Sequence, residues 1–281
     1  MRRSAARVGD RRRLLLLVAA AVLCAGFVTL ACLARRWPAL AGWDGRVTGS
    51  FVSWRSPGRD RFFWLATLLG DDPLMAAFAA VFVFALALWG LRARAAVIAG
   101  GLAVSWGVMH AAKLAVGRAR PPEPLALVEK PGSFSMPSGH ALIIVVFCGL
   151  LVYTLFRWVD ARRARRAAGG GAQPRAAAAL MVTSKAVVVL VALTLSAVVG
   201  MSRVYLGVHW MSDVFAGWCL GGAVLAATLS AAFTLERTRG KGVFRERERW
   251  GREGTRIALL VALFLIVCAV TGLTAWADPL L

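Results

Sequence analysis

Seven apolar stretches alternate with polar segments along the chain. Each is long enough, or nearly so, to cross the hydrocarbon core of a bilayer as a helix of about 20 residues. The fourth and fifth are the shortest, but the polar segments on either side of them still require a crossing. The pattern predicts an all-α, polytopic membrane helical bundle whose spans occupy residues 14–34, 73–91, 95–116, 140–157, 185–201, 212–234 and 257–276.

The segment between the first two spans, residues 35–72, is too polar to cross a membrane but has an apolar periodicity of its own. Spacings of three and four predict a helix lying on the membrane surface, with an apolar face formed by Leu40, Trp43, Val47, Phe51 and Trp54. We interpret this segment as a structural lid. The alternative is a guide for a lipid tail.

These stretches also define the organisation of the chain. The predicted parts are the N-terminus and first span (1–34), an outer amphipathic segment (35–72), a transmembrane core (73–234), a basic segment (235–256) and a C-terminal span (257–281). Within the core, residues 158–184 are rich in arginine, glycine and alanine, which indicates a flexible linker.

Composition and charge place the chain in a membrane. With 59% hydrophobic residues and a mean hydropathy of +0.68, it is not a soluble globular protein. Most of the 34 lysine and arginine residues lie in alternate connecting segments, at 2–13, 92–94, 157–185 and 237–256. This distribution predicts a cytoplasmic N-terminus, in a bacterial inner (plasma) membrane. The net charge of +20 therefore reflects topology and contact with anionic lipids, and we expect no nucleic-acid partner.

The five cysteines all lie within apolar stretches and lack the spacing of zinc ligands. We interpret them as small core residues without disulfide bonds.

Candidate chemistry is concentrated in Ser202–Asp213, between two nearly uncharged spans. Ionisable residues cost solvation free energy at such a junction, which favours a functional role. His209 and Asp213 would lie one turn apart on a helix, so the carboxylate could accept the Nδ1 proton and leave Nε2 as nucleophile or base. Arg203 adds a planar cation suited to phosphate.

Two further groups flank the loop between the third and fourth spans. Lys113 ends the third span, where snorkelling to the surface is the structural alternative, and Arg120 follows it. Ser138 and His140 lie where the fourth span begins, at a helix N-terminus that favours anions. A capping role for Ser138 is compatible with anion binding. For His110, one turn before Lys113, we favour packing over a role in the site.

The predicted topology brings these groups to one membrane face. Together they could carry out phosphoryl transfer: cations and a helix N-terminus hold the phosphoryl oxygens, one histidine attacks phosphorus and another protonates the leaving oxygen. The candidate residues are Lys113, Arg120, Ser138, Gly139, His140, Arg203, His209 and Asp213.

The same residues form three motifs: KxxxxxxRP at 113–121, PSGH at 137–140 and SRxxxxxHxxxD at 202–213. In order and at every defined position they resemble the type 2 phosphatidic acid phosphatase (PAP2) superfamily, which includes lipid phosphate phosphatases and bacterial acid phosphatases. The resemblance covers about residues 38–234 and leaves out the last span.

The resemblance implies a six-helix core, with the seventh span as an addition, and a reaction without a metal or other cofactor. It implies that His209 forms a phosphohistidine, that Asp213 orients His209, and that His140 acts as general acid and then as base. It further implies that phosphate is bound by Lys113, Arg120, Ser138, Gly139 and Arg203. A chain with only three histidines, whose motifs contribute a single carboxylate, fits a site without metal.

We therefore expect a membrane phosphatase acting at the extracytoplasmic face. Phosphatidic acid, phosphatidylglycerol phosphate and polyprenyl diphosphate stay open as substrates. A phosphotransferase using the same residues is the main alternative, followed by a non-catalytic lipid-binding or transport protein. A vanadium haloperoxidase, which has a similar oxyanion pocket, is disfavoured by the membrane location. Neither an oligomeric state nor the role of the seventh span follows from the pattern.

Overall fold

The computed structural model describes residues 2–168 and 175–238, which are helical apart from short connections and one longer loop. The elements are α1 (Arg2–Arg36), α2 (Pro38–Ser53), α3 (Pro57–Leu68), α4 (Asp72–Leu88), α5 (Arg92–Val116), a 3₁₀ turn (Glu123–Leu125), α6 (Gly139–Ala168), α7 (Arg175–Tyr205) and α8 (Met211–Thr238). The all-α prediction is confirmed. The predicted seventh span, 257–276, lies outside the described residues.

Among the described residues, five helices are long and apolar enough to cross a membrane: α1 from Asp10, α5, α6 to Ala164, α7 from Met181 and α8 to Leu235. These correspond to the first, third, fourth, fifth and sixth predicted spans. The second predicted span is α4, which meets the same test only together with α3, from which it is bent by 43°. The two helices are a sixth candidate crossing.

The predicted linker at 158–184 is wrong for most of its length. Helix α6 continues to Ala168 and α7 begins at Arg175, so the flanks of this stretch are helical. Alanine and arginine are among the strongest helix formers, and their propensity outweighs the polarity that suggested a loop. Lys185 of α7 is ion-paired with Asp160 of α6 at 2.6 Å.

The prediction for the cysteines holds only in part. The four described cysteines are free thiols, as expected, but only Cys148 is buried, whereas Cys24 and Cys32 are exposed on α1. In a membrane span an exposed apolar side chain faces lipid, so an apolar stretch does not by itself place a residue in the core.

Helices α6 and α8 form the centre of the bundle because glycine lets their backbones approach closely. A Cβ atom on Gly217 would lie 2.6 Å from the Ser138 carbonyl oxygen, and one on Gly221 would lie 2.7 Å from that of Leu142. Such contacts are typical of the GxxxG pattern in membrane helices. The buried core around this contact includes Ile144 and Leu150 of α6.

Helix α1 packs on the outer side of α8, where Gly222 faces Leu23. Near its end, Arg35 donates hydrogen bonds to the carbonyl oxygens of Ala115 (2.6 Å) and Val116 (3.1 Å). These carbonyl oxygens belong to the last turn of α5, where no backbone N–H of the same helix is left to donate to them. The cation therefore caps α5 at the end where the candidate residues lie.

The outer segment forms two helices that pack on the bundle. The apolar face of α2, predicted to lie on a membrane surface, instead contacts α7 and α8: Trp43 stacks on Phe215 with ring centroids 6.2 Å apart. On α3, Phe63 stacks on Tyr205 at 4.1 Å. An apolar helix face can be buried either against the rest of the protein or in lipid. Amphipathic periodicity predicts such a face but not which of the two covers it.

We expect Gly221→Ala to lower the thermal unfolding midpoint in detergent. The added methyl group would contact backbone atoms of α6 that cannot rotate away, at a cost of about 1–3 kcal/mol. Gly107→Ala is the matched control, because a Cβ at this exposed α5 position meets nothing within 4 Å. Equal midpoints for the two variants would contradict the close packing of α6 on α8.

Candidate active site

Four helix ends and one loop meet at one end of the bundle. Helix α5 stops at Val116, followed by Gly117 in the left-handed conformation (φ 64°), and α6 starts at Gly139. Helix α7 ends at Tyr205 and α8 starts at Met211. The structure brings the candidate residues of all three motifs to this end.

His209 lies in the tight connection between α7 and α8. The backbone N–H groups of Val208 and His209 both donate to the Arg203 carbonyl oxygen, at 3.1 and 3.2 Å. Gly207 has a φ of +73°, and a Cβ atom there would overlap the Leu125 carbonyl oxygen, so the turn requires glycine. This turn directs His209 into the protein, where its exposed fraction is 2%.

The imidazole of His209 has an acceptor on one side and a donor on the other. Its Nδ1 lies 3.4 Å from Oδ2 of Asp213, and its Nε2 lies 3.1 Å from Nη1 of Arg120. Because a guanidinium only donates, Nε2 is the acceptor and the proton sits on Nδ1. This is the tautomer that a nucleophilic Nε2 needs.

The Asp213 carboxylate is shared among several donors. Its Oδ2 accepts a short hydrogen bond from the Ser135 hydroxyl and another from the Trp210 backbone N–H at 2.9 Å. Ser135 Oγ is also 3.4 Å from Nδ1 of His209. The one-turn spacing of His209 and Asp213 thus gives the predicted contact, but at a length that makes it a weak hydrogen bond.

Burial lowers the pKa of His209 well below its ordinary value, and the nearby charges of Arg120, Lys113 and Arg203 act in the same direction. Desolvation and like charge both disfavour the imidazolium form. His209 is therefore neutral at neutral pH, and its Nε2 keeps the lone pair that accepts from Arg120.

Two of the candidate cations are hydrogen-bonded to the loop before α6. Lys113 donates to the Phe134 carbonyl oxygen at 2.6 Å. Arg120 donates to the carbonyl oxygens of Ser133 (2.8 Å) and Val208 (2.7 Å). Burial lowers the pKa of Arg120 and the charge of Asp213 opposes the change, but a guanidinium stays charged at neutral pH.

Arg203 and Ser138 each present a buried polar atom without a protein partner among the described residues. The Arg203 guanidinium donates through Nη1 to Thr67 Oγ1 at 2.5 Å, while its Nε has no partner. The Ser138 hydroxyl also has none, so it does not cap α6. Both atoms are therefore free to donate a hydrogen bond to an anion that binds beside them.

His140 and Gly139 form the first turn of α6. The ring of His140 packs against Gly70, where a Cβ atom would lie 2.9 Å from its Cδ2. Lys113, Arg120, Arg203 and His209 are close enough to interact with it electrostatically. A Cβ atom at Gly139 would lie 2.7 Å from the Met109 sulfur, so a larger residue would require the Met109 side chain to move.

The family model of the PAP2 superfamily matches residues 94–237. The chain belongs to the PAP2 superfamily. The match begins in α5 rather than near residue 38 as expected, so α1 to α4 lie outside it.

Two known proteins show how far this PAP2 likeness extends. An undecaprenyl-diphosphatase from Sulfolobus acidocaldarius is 32% identical over 99 residues, which are 35% of this chain and 34% of that protein. The chain thus matches about a third of that relative's length. The crystal structure of a transmembrane PAP2-type phosphatidylglycerolphosphate phosphatase from Bacillus subtilis superposes with a TM-score of 0.64 at 21% identity. It covers 78% of this chain and 98% of its own, which shows a shared fold.

The PAP2 motifs do not include every residue that the structure places around His209. Arg118 joins Asp213 Oδ1 (2.6 Å) to Asp44 Oδ2 (2.7 Å), and Asp44 accepts a further hydrogen bond from the Ser212 backbone N–H (2.9 Å). Sequence reasoning did not assign Arg118, Asp44, Ser135 or Ser212 to the site. The sequence does contain one indication of a buried charge: Asp44 lies one turn after Leu40, on the apolar face of the predicted helix.

A cavity of about 530 Å³ lies beside the PAP2 site and shares Lys113 and Arg120 with it. His110 also lines this cavity, although its Nδ1 donates to the Trp106 carbonyl oxygen at 2.9 Å and its ring packs at a tilt of 44° against that of Trp106. The packing role expected of His110 agrees with these contacts. Lys130, also on the cavity wall, is ion-paired with Glu123 at 3.2 Å.

We expect the His209 ring to stay neutral at pH 6.5 and Arg120→Ala to raise its pKa, because removing a nearby positive charge favours protonation. Ring-nitrogen NMR of histidine-labelled protein can follow this directly, since the chain has only three histidines. Lys130→Ala is the control: it removes a cation that does not act on His209 and should leave the pKa unchanged. A protonated His209 at neutral pH in the wild type would refute the assignment.

Proposed function

We propose that this protein is an integral membrane phosphatase that hydrolyses a lipid phosphate or diphosphate through a phosphohistidine on His209. The observation that carries the proposal is the state of His209: buried, neutral and protonated on Nδ1, with Nε2 directed at a phosphate-binding cation. Membership of the PAP2 superfamily supports the same chemistry.

The charges around His209 fit a phosphate monoester. Arg120, Lys113 and Arg203 all act electrostatically on His209, and Arg118 bridges the buried carboxylates of Asp44 and Asp213. In this proposal Lys113, Arg120 and Arg203, with the Ser138 hydroxyl and the backbone N–H of Gly139, bind the phosphoryl oxygens.

In the first step Nε2 of His209 attacks phosphorus and the bond from phosphorus to the leaving oxygen breaks. His140, in its protonated form in the substrate complex, donates its proton to that oxygen and becomes neutral. Asp213 stabilises the positive ring of His209 through Nδ1–H. Uncatalysed monoester hydrolysis requires a barrier reduction of roughly 20 kcal/mol or more. A single charge-stabilising donor contributes about 3–4 kcal/mol, which explains the need for several cations.

In the second step a water molecule attacks the phosphohistidine. His140, now neutral, accepts a proton from this water, the P–N bond breaks, and inorganic phosphate leaves with His209 restored. A phosphotransferase would form the same intermediate and pass the phosphoryl group to an alcohol. Phosphate release measured with and without acceptor alcohols distinguishes the two.

The location of the site favours a lipid substrate. The catalytic residues lie at the ends of transmembrane helices, where amphiphiles reach a high local concentration. Both relatives described above are named for lipid-linked phosphates. The alternation of basic segments supports a cytoplasmic N-terminus and an extracytoplasmic site, in a bacterial plasma membrane.

We expect His209→Gln to abolish turnover and to prevent covalent labelling by substrate carrying ³²P in its terminal phosphoryl group. Glutamine has no nucleophilic ring nitrogen, so no acid-labile phosphoenzyme should form. His110→Gln is the matched control and should still be labelled, because His110 contacts the Trp106 backbone rather than the reacting groups. Turnover by the His209 variant would rule out this mechanism.

We expect phosphate release from lipid monophosphates or diphosphates to continue in excess chelator. The expectation of a reaction without metal rests on the motifs, and it is tested by a screen of purified protein over both lipid classes with and without EDTA. Loss of activity in EDTA, restored by a divalent cation, would contradict it.

A further inference from the structure

Asp44 is a fully buried carboxylate on an outer helix that also docks through the apolar side chains of Val47 and Phe51. It lies in α2, outside the part of the chain matched by the family model. Burying a charge is costly unless it is paired and hydrogen-bonded, so its partners indicate its role.

All the partners of Asp44 lie next to the catalytic groups. Its Oδ1 accepts from the Ser212 backbone N–H at 2.9 Å, and its Oδ2 accepts from the Ser212 hydroxyl at 2.5 Å and from Nη2 of Arg118 at 2.7 Å. Ser212 is adjacent in sequence to Asp213. Asp44 therefore fixes the first turn of α8 and the guanidinium that contacts Asp213.

Arg118 transmits this constraint to the Asp213 carboxylate. The guanidinium is planar, so fixing Nη2 on Asp44 also fixes the direction of Nη1, which donates to Asp213 Oδ1 at 2.6 Å. Because Arg118 holds Oδ1 of Asp213, the other oxygen, Oδ2, faces His209, Ser135 and the Trp210 N–H. Asp44 also neutralises part of the positive charge of Arg118. Arg118 therefore offsets less of the negative charge of Asp213, and the attraction between Asp213 and the His209 ring is stronger.

We infer that Asp44 is a positioning residue for the proposed phosphoryl transfer: acting through Arg118, it orients and electrostatically tunes the carboxylate that supports His209. This inference rests on the proposed function. It gives α2 a role in catalysis beyond that of a lid. Asp44 contacts none of the proposed phosphate ligands, so its effect falls on the chemical step and not on substrate binding.

The test compares Asp44→Asn with Thr48→Val in the full-length protein. Asparagine keeps an oxygen for the Ser212 N–H but removes the charge and the acceptor that face Arg118. Thr48 is buried one turn further along α2 and its hydroxyl has no partner within residues 2–168 and 175–238, so valine preserves the docking of the helix. With a lipid phosphate as substrate, Asp44→Asn should lower kcat by about tenfold or more, as removal of a buried charged partner does, with KM unchanged. Thr48→Val should keep the wild-type kcat.

A wild-type kcat for Asp44→Asn, or a raised KM with kcat unchanged, would overturn the inference. If Asp44→Asn does not fold, as judged by its thermal midpoint, Arg118→Lys decides the matter, because lysine keeps the charge but cannot span both carboxylates in a fixed plane. It should lower kcat alone, and a wild-type kcat would again overturn the inference. Absence of phosphate release by the wild-type protein, in contrast, would be a failure of the proposed function itself.

Discussion

The end of the bundle that carries the proposed catalytic groups depends on one partly buried guanidinium. Arg118 lies between the carboxylates of Asp44 and Asp213, and so joins the outer helix α2, the loop after α5 and the start of α8. None of these charges could stay buried without the others, since an uncompensated ion in the interior is strongly destabilising. The three segments are therefore ordered as a unit, and the geometry around His209 follows from that order.

Close helix packing brings the two halves of the site together. The Ser138 N–H donates to the Asp213 carbonyl oxygen at 3.0 Å, which requires α6 and α8 to begin side by side. This approach is possible because Gly217 lacks a side chain at the point where α8 crosses the Ser138 carbonyl. Gly217 therefore has a second role beside helix packing: it sets the distance between the first turn of α6 and the Asp213 carboxylate.

Much of this arrangement could be predicted from the sequence. A bilayer forces a spanning backbone to satisfy its own hydrogen bonds, so apolar length alone located the crossing helices of the described region. Ionisable residues such as Lys113 and Arg203 were informative because they stand beside apolar stretches where charge is costly. Asp44 could not be assigned in this way, because its partners come from segments far away in the chain. The arginine-rich stretch at 158–184 was misjudged because polarity was weighed above helix propensity.

The carbonyl oxygens that accept from Lys113 and Arg120 affect which ligands these two cations can bind. It accepts a hydrogen bond from Lys113, and Arg120 donates to the neighbouring Ser133 carbonyl, so these cations already have neutral acceptors in the protein. Arrival of a ligand at Lys113 and Arg120 is then an exchange of one acceptor for another. A charged phosphoryl oxygen improves on a carbonyl, because charge-assisted hydrogen bonds are about twice as strong as neutral ones. An alcohol gains nothing by the same exchange, so the dephosphorylated product of the proposed reaction would have no advantage over the loop.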